Sequence, residues 1–291
     1  MTLKPGSYKN TYNGGRVWTQ ARSAGRALRQ NLAERLRTHR MGHCFLSFQE
    51  IDSTNSAAAA WAAEGVAEGA VVTSEIQTRG RGRFGRPWLA APGQNLTFSV
   101  VLRPNLPSEG LGLIVLAAGV AVVRVVARES GPVRPCIKWP NDILLGGRKC
   151  CGMLLETSTG GTGSSAGAAI LGIGLNVNQD FFPDELASKA TSILLEVGRL
   201  TSRTDLLAGL LIQLEDTYGA ILEGRTAEIR REYLDHMAGL GEHVLVQNAG
   251  DSRILQGTVR GITARGALIL ETAEGVVHLQ AGDVTLLPSP S

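Results

Sequence analysis

Four arginines stand within eight residues in the stretch TRGRGRFGRPW, residues 78–88: Arg79, Arg81, Arg83 and Arg86, among Gly80, Gly82 and Gly85, with no acid. Guanidinium forks match phosphate oxygens two at a time. Glycines let the backbone fold closely round a ligand, and successive backbone N–H groups add an anion nest. The chemistry is therefore anion binding. It is not that of a Walker A loop, since no G-x-x-x-x-G-K-[ST] occurs in the chain. A phosphorylated small molecule fits better than RNA, because RGG-type segments are long and repetitive.

Three further strings invite chemistry, and each has a plainer alternative. KWPND, residues 138–142, puts Lys138 on an otherwise apolar strand. A buried ammonium is costly without an anion; the alternative is a hairpin turn whose lysine reaches solvent. GIGLN, residues 172–176, ends a strand with two glycines, which marks either a close approach of backbone to ligand or a bulge. DSTN, residues 52–55, is first of all a helix N-cap, although Ser53, Thr54 and Asn55 also carry hydroxyl and amide groups that suit a polar ligand head.

The elements that must position these strings are read from periodicity. Leu28, Leu32 and Leu36 predict an amphipathic helix over 26–40, and residues 52–65 predict a second helix, capped at both ends. Strands are predicted over 44–51, 69–77 and 95–104, with the arginine stretch between the last two. A long helix spans about 108–129. Short strands follow near 135–145 and 149–156, and a Gly/Ser-rich hairpin loop at 157–167 leads to a strand over 168–178. Helices fill 184–238. Beyond residue 239 come only short strands between glycine turns, a small all-β module. The fold class is α+β, a mixed sheet with flanking helices and a C-terminal barrel-like module.

Composition limits the function classes. Of 291 residues 43% are apolar and 19% charged, and the net charge is only +3. That describes a globular chain with a local cationic site rather than a dedicated nucleic-acid binder. The apolar run from Leu111 ends at Arg124 after about a dozen residues, short of the roughly 20 a membrane span needs. Cys44, Cys136, Cys150 and Cys151 form no C-x-x-C and no zinc spacing, so reduced thiols in the cytoplasm are expected. Residues 1–33 hold six Lys/Arg and no acid. A disordered basic tail, an organellar transit peptide and a misassigned start are the readings of that segment.

Together, DSTN, QTRGRGRFGRPW, KWPND followed by RKCCGMLLE, and GIGLNVN resemble the catalytic core of biotin–protein ligases in order and spacing, over about residues 28–288. The resemblance implies a catalytic domain at 28–238, an SH3-like module at 239–288 and a basic extension at 1–27. It implies an enzyme that makes biotinyl-5'-AMP from biotin and ATP with Mg2+, then biotinylates a lysine of a biotin carboxyl carrier domain. Ser53, Thr54, Asn55, Gln77, Gly80, Arg81, Gly82, Arg83, Lys138 and Gly152 are implied to form the biotin site, and Arg83, Trp88, Asn141, Gly174 and Asn176 the nucleotide site. Lys138, Arg83 and Arg81 would stabilise charge on the α-phosphate, and Asp142 is a guess for the metal. Too few residues precede the core for the DNA-binding domain of the repressor class, so no DNA contact is expected; a monomer or weak homodimer without membrane contact is the form expected. A lipoate or octanoate ligase on the same fold, and a non-catalytic ligand sensor or RNA binder, are the alternatives.

Overall fold

The structure, a computed structural model, describes residues 26–157, 167–248 and 254–286. The basic segment before residue 26 and most of the Gly/Ser-rich hairpin loop lie outside the described residues. Helix α1 spans Arg26–Ala33, shorter than its leucine spacing predicts. Farther on, where the helix is predicted to continue, a carboxylate holds the chain: the backbone N–H groups of His39, Arg40 and Met41 donate to Glu215 at 2.6, 2.7 and 3.1 Å. Leu32 is still buried, and Leu36 packs against the core.

Strands β1 (Phe45–Ile51) and β2 (Val71–Gln77) run parallel, which requires a crossover, and helix α2 (Thr54–Ala63) supplies it. The remaining strands are β3 (Leu96–Leu102), β4 (Cys136–Lys138), β5 (Asp142–Leu145), β6 (Arg148–Thr157) and β7 (Ala169–Leu175). They join antiparallel, giving one seven-stranded sheet of order β1-β2-β3-β7-β6-β5-β4. Alternation assigns its faces. In β3, Leu96, Phe98, Val100 and Leu102 enter the main core, while Val101 joins the smaller cluster under the alanines of α2. In β7, Leu171, Ile173 and Leu175 face the main core, and Gly172 and Gly174 point the other way.

Helix α3 (Gly112–Glu129) covers the main-core face and packs on α6 (Arg203–Leu222) and α7 (Thr226–Asp235); α4 (Asp184–Ala187) and α5 (Ile193–Val197) precede them. With its 3-10 lead-in, α3 is apolar and long enough by composition to cross a membrane, contrary to the expectation from the run ending at Arg124. Its apolar residues are consumed by the core instead, and Arg124 is paired to Asp216 and Glu232 on α6 and α7.

The C-terminal strands β8 (His243–Asn248), β9 (Ile254–Ile262), β10 (Leu268–Thr272), β11 (Gly275–Leu279) and β12 (Gly282–Leu286) form an antiparallel sheet of order β11-β10-β9-β8-β12. Its buried side chains, among them Val244, Val259, Leu268 and Val284, belong to the same core cluster as the large sheet. Trp139 links the two by donating its indole N–H to the Gly266 carbonyl at 3.0 Å.

Glu215 gives the fold a pH dependence. Burial opposes its ionisation, but three backbone N–H donors outweigh that and hold the carboxyl below its ordinary value. A depressed folded pKa contributes stability above the unfolded value of about 4.3, lost as pH falls through the folded value. Glu215→Gln should cost about 1 kcal/mol at neutral pH, a figure kept small by the solvent exposure of the site. Urea melts of the variant should show a shallower loss of stability between about pH 5 and 3 than those of the unsubstituted chain.

Candidate active site

The arginine stretch folds back on itself as a short hairpin between β2 and β3. Trp88 N–H donates to the Gly80 carbonyl at 2.9 Å and Gly82 N–H to the Arg86 carbonyl at 2.7 Å, with Arg81 opposite Pro87. At the tip Phe84 and Gly85 take φ of 57° and 71°. The glycine at 80 is required by close approach: a Cβ there would lie 2.8 Å from the Trp88 carbonyl oxygen and 2.9 Å from the Gln77 amide. Gly80 thus shapes the base of the hairpin and does not line the cavity, unlike Gly82.

Three of the arginines diverge. Arg81 meets Glu156 through Nε at 3.1 Å and Nη2 at 3.2 Å, and donates to Ser56 Oγ at 3.1 Å. Arg86 pairs with Asp283 at 2.6 Å. Arg83 turns inward, donating to Asn141 Oδ1 and to the Gly282 carbonyl, both at 3.1 Å, with its guanidinium over the Phe84 ring. Burial lowers the Arg83 pKa, against the pull of Asp142 and Asp283. Arginine remains charged throughout the working pH range.

Beneath the hairpin, on the α2 side of the sheet, lies a cavity of about 860 Å³. That is near the upper end for small-molecule pockets, about 300–1,000 Å³. One end is polar. Ser53 caps α2, and Thr54 and Asn55 are buried in its first turn. Gln77 Oε1 accepts from the Thr54 backbone N–H at 2.7 Å, which orients the Gln77 amide with its NH2 away from Thr54. Ser99 Oγ lies 2.8 Å from Thr54 Oγ1 and 2.6 Å from Asn55 Oδ1, and Asn55 donates to Glu156 at 2.7 Å.

The floor is bare backbone. Gly152 and Gly174 are paired across β6 and β7, and the Trp88 indole lies over them. A Cβ at Gly174 would meet that ring at 2.3 Å, and one at Gly172 would meet Asn55 Oδ1 at 2.3 Å. These glycines therefore admit Trp88 and Asn55 first, a closer role than ligand approach alone. Two buried polar atoms in the wall, Trp88 Nε1 and Asn176 Oδ1, have no partner among the described residues.

The KWPND turn splits its expected roles. Asn141 lines the cavity, held by its Nδ2 donating to the Met153 carbonyl at 2.7 Å. Lys138 does not line it: its ammonium sits 3.3 Å from Asp283, which does. The lysine in the wall is Lys149, 2.7 Å from Asp142 and 5.8 Å from the Trp88 ring centroid. Asp142 is thus committed to a lysine. No group of three His, Cys, Asp or Glu among the described residues is placed to hold a metal, so this donor set builds no cage for Mg2+.

Sequence reading missed Ser99, Lys149, Glu156 and Asp283. Ser99 had a signal, a hydroxyl alternating with Phe98 and Val100. Lys149 stood inside a quoted motif. Nothing local distinguishes Asp283, whose partners lie 145 and 197 residues away.

The site is thus a cavity over glycine-bearing strands, with a cationic hairpin above it and Asp283 of the small β module at its rim. Residues 47–176 match the Biotin/lipoate A/B protein ligase family and residues 239–287 the Biotin protein ligase C terminal domain. The bifunctional ligase/repressor BirA of Bacillus spizizenii is 33% identical over 253 residues, 86% of this chain and 76% of that protein. The biotin--[acetyl-CoA-carboxylase] ligase of Mycobacterium tuberculosis is 35% identical over 81% of this chain and 86% of its own length. The solved biotin protein ligase from Aquifex aeolicus in complex with biotin and ATP is similar with a TM-score of 0.73 at 28% identity, covering 85% of this chain and 100% of that one. The chain belongs to the biotin/lipoate A/B protein ligase family.

Gly174→Ala tests the floor. Its methyl must displace the Trp88 ring, an overpacking cost of about 1–3 kcal/mol. We expect urea melts to show a loss of stability of that size, while the far-UV circular dichroism is unchanged. Unchanged stability would show that the ring position is immaterial.

Proposed function

We propose that the chain is an ATP-dependent biotin–protein ligase. It joins biotin to ATP as biotinyl-5'-AMP and passes the biotinyl group to a specific lysine of a biotin carboxyl carrier domain. One observation carries the reading: a single cavity holds a polar cluster at Thr54, Asn55 and Gln77, a glycine floor, and the Arg83 guanidinium among its walls. A ligand with a polar head, an apolar middle and an anionic tail fits that sequence of surfaces.

A carboxylate resists attack by amines, so it must first be activated. Its oxygen attacks the α-phosphorus, forming the acyl–O–P bond and breaking the bond to pyrophosphate. Negative charge grows on the equatorial oxygens, where preorganised donors act most strongly. Arg83 and Lys149 face that space directly. Lys138 is one ion pair back and reaches the phosphate by giving up Asp283. Arg81 is committed to Glu156 and acts on the hairpin instead. Mg2+ enters as part of the nucleotide substrate, since it usually keeps waters and binds through phosphates. Asn176 Oδ1 and Trp88 Nε1 offer an acceptor and a donor to the nucleotide base.

In the second step a carrier lysine amine forms the N–C bond, the acyl C–O bond breaks, AMP leaves and one proton passes to solvent. Named relatives that ligate biotin to acetyl-CoA carboxylase support a carboxylase carrier as the acceptor. The four cysteines are all free thiols, which supports a reducing, cytoplasmic setting. We take the acting species as a monomer or weak homodimer that needs no DNA or membrane.

The decisive experiment is isotope exchange between ATP and pyrophosphate. Exchange that depends on biotin supports this reading; exchange that depends on lipoate and ignores biotin would replace it. In the same assay Lys138→Ala should slow exchange by about a hundredfold, the cost typical of losing one preorganised electrostatic contact. Near-normal exchange would confine Lys138 to its pairing with Asp283.

A further inference from the structure

We propose that the arginine hairpin is a lid clasped from both sides by carboxylates, Glu156 on β6 and Asp283 on β12, and that the second clasp makes the C-terminal module a working part of the lid. The proposal deepens the ligase reading, because it concerns how that site retains its adenylate.

No residue from 81 to 87 is buried, and Phe84 at the tip is 54% exposed. Hydrophobic packing enters at its base, where the Trp88 indole lies over Gly152 and Gly174. Between Arg81 and Arg86 the ties to the rest of the chain are polar, and they fall on opposite arms. The first arm is held by the two-point contact of Arg81 with Glu156, and Glu156 is itself fixed by Asn55 from the cavity wall. The second arm is held by Arg86 on Asp283, and the tip by Arg83 on the neighbouring Gly282 carbonyl. Ion pairs this exposed contribute little each, which suits a lid that must open in every cycle.

Asp283 divides one negative charge between two cations, Oδ2 to Arg86 and Oδ1 to Lys138. Burial opposes its ionisation, yet Arg86 and Lys138 hold its carboxyl below the ordinary value. A phosphate that draws Lys138 away leaves the whole carboxylate to Arg86. Arrival of the ligand then strengthens the clasp that closes over it. Asp283 and Glu156 are positioning residues, acting through the arginines.

Trypsin reads the lid directly, cutting after Arg79, Arg81 and Arg83 but not at Arg86, which Pro87 follows. In the full-length, ligand-free chain, Glu156→Gln and Asp283→Asn should each speed cleavage at 79–83 by about 1.5-fold to fivefold, the range of one exposed ion pair. Melting temperatures should stay close to that of the unsubstituted chain. Asp283→Glu, which keeps the negative charge between Arg86 and Lys138, should retain most of the resistance, which a general loosening of the fold would not permit. Preformed biotinyl-adenylate should leave Asp283→Asn several-fold faster than it leaves the unsubstituted chain. Unchanged cleavage in both single variants, or an Asp283→Glu chain as sensitive as Asp283→Asn, would overturn the clasp. The cleavage arm needs no ligand, so a chain that makes no biotinyl-adenylate would defeat the ligase reading and leave the clasp separately decided.

Discussion

Like charges crowded on one short hairpin repel, and the architecture of this site follows from how that repulsion is relieved. Arg81, Arg83 and Arg86 lie within six residues, yet each guanidinium finds a different partner on a different element. Two carboxylates draw the outer pair apart. The middle one is left to face the cavity with only neutral acceptors, a side-chain amide oxygen and a backbone carbonyl. A cation satisfied by neutral acceptors keeps its full charge available to an anion. The hairpin thereby concentrates its chemistry in one residue and spends the other two on geometry.

The sheet serves this arrangement by having two unlike faces. The main-core face is a continuous apolar layer under α3, fixed by the alternation of β3 and β7. On the other face the same strands present Thr97, Ser99, Gly172 and Gly174, which leave room for α2's first turn and the Trp88 ring. The rim module shares the main core, so the position of Asp283 over Arg86 and Lys138 is set by packing many residues away. Electrostatics at the mouth therefore rests on hydrophobic burial at the base.

What was legible in the sequence was whatever depends on near neighbours. The strand within 95–104 and the cap at Ser53 are local properties, and the structure places them as read. Contacts made at long range were not legible. Glu215 holds Met41, just past the stretch where a helix is predicted, from 174 residues away. Arg81 reads as a phosphate ligand until Glu156 is seen beside it, and Lys138 as a cavity lysine until Asp283 is. The glycines of GIGLN read either as a close approach to ligand or as a bulge, and the group that lies against Gly174 is the Trp88 indole.

A floor made of Gly152, Gly172 and Gly174 has a consequence for how this pocket can change. Glycine is the smallest residue, so no substitution there can deepen the cavity; every change subtracts space. Divergence in ligand size, whether by drift or by engineering, has to come through side chains that stand beside the glycines on the same face, such as Thr97 and Leu154. The depth of the pocket is a property of the backbone, and in that direction the family of ligands it can hold is bounded by the sheet itself.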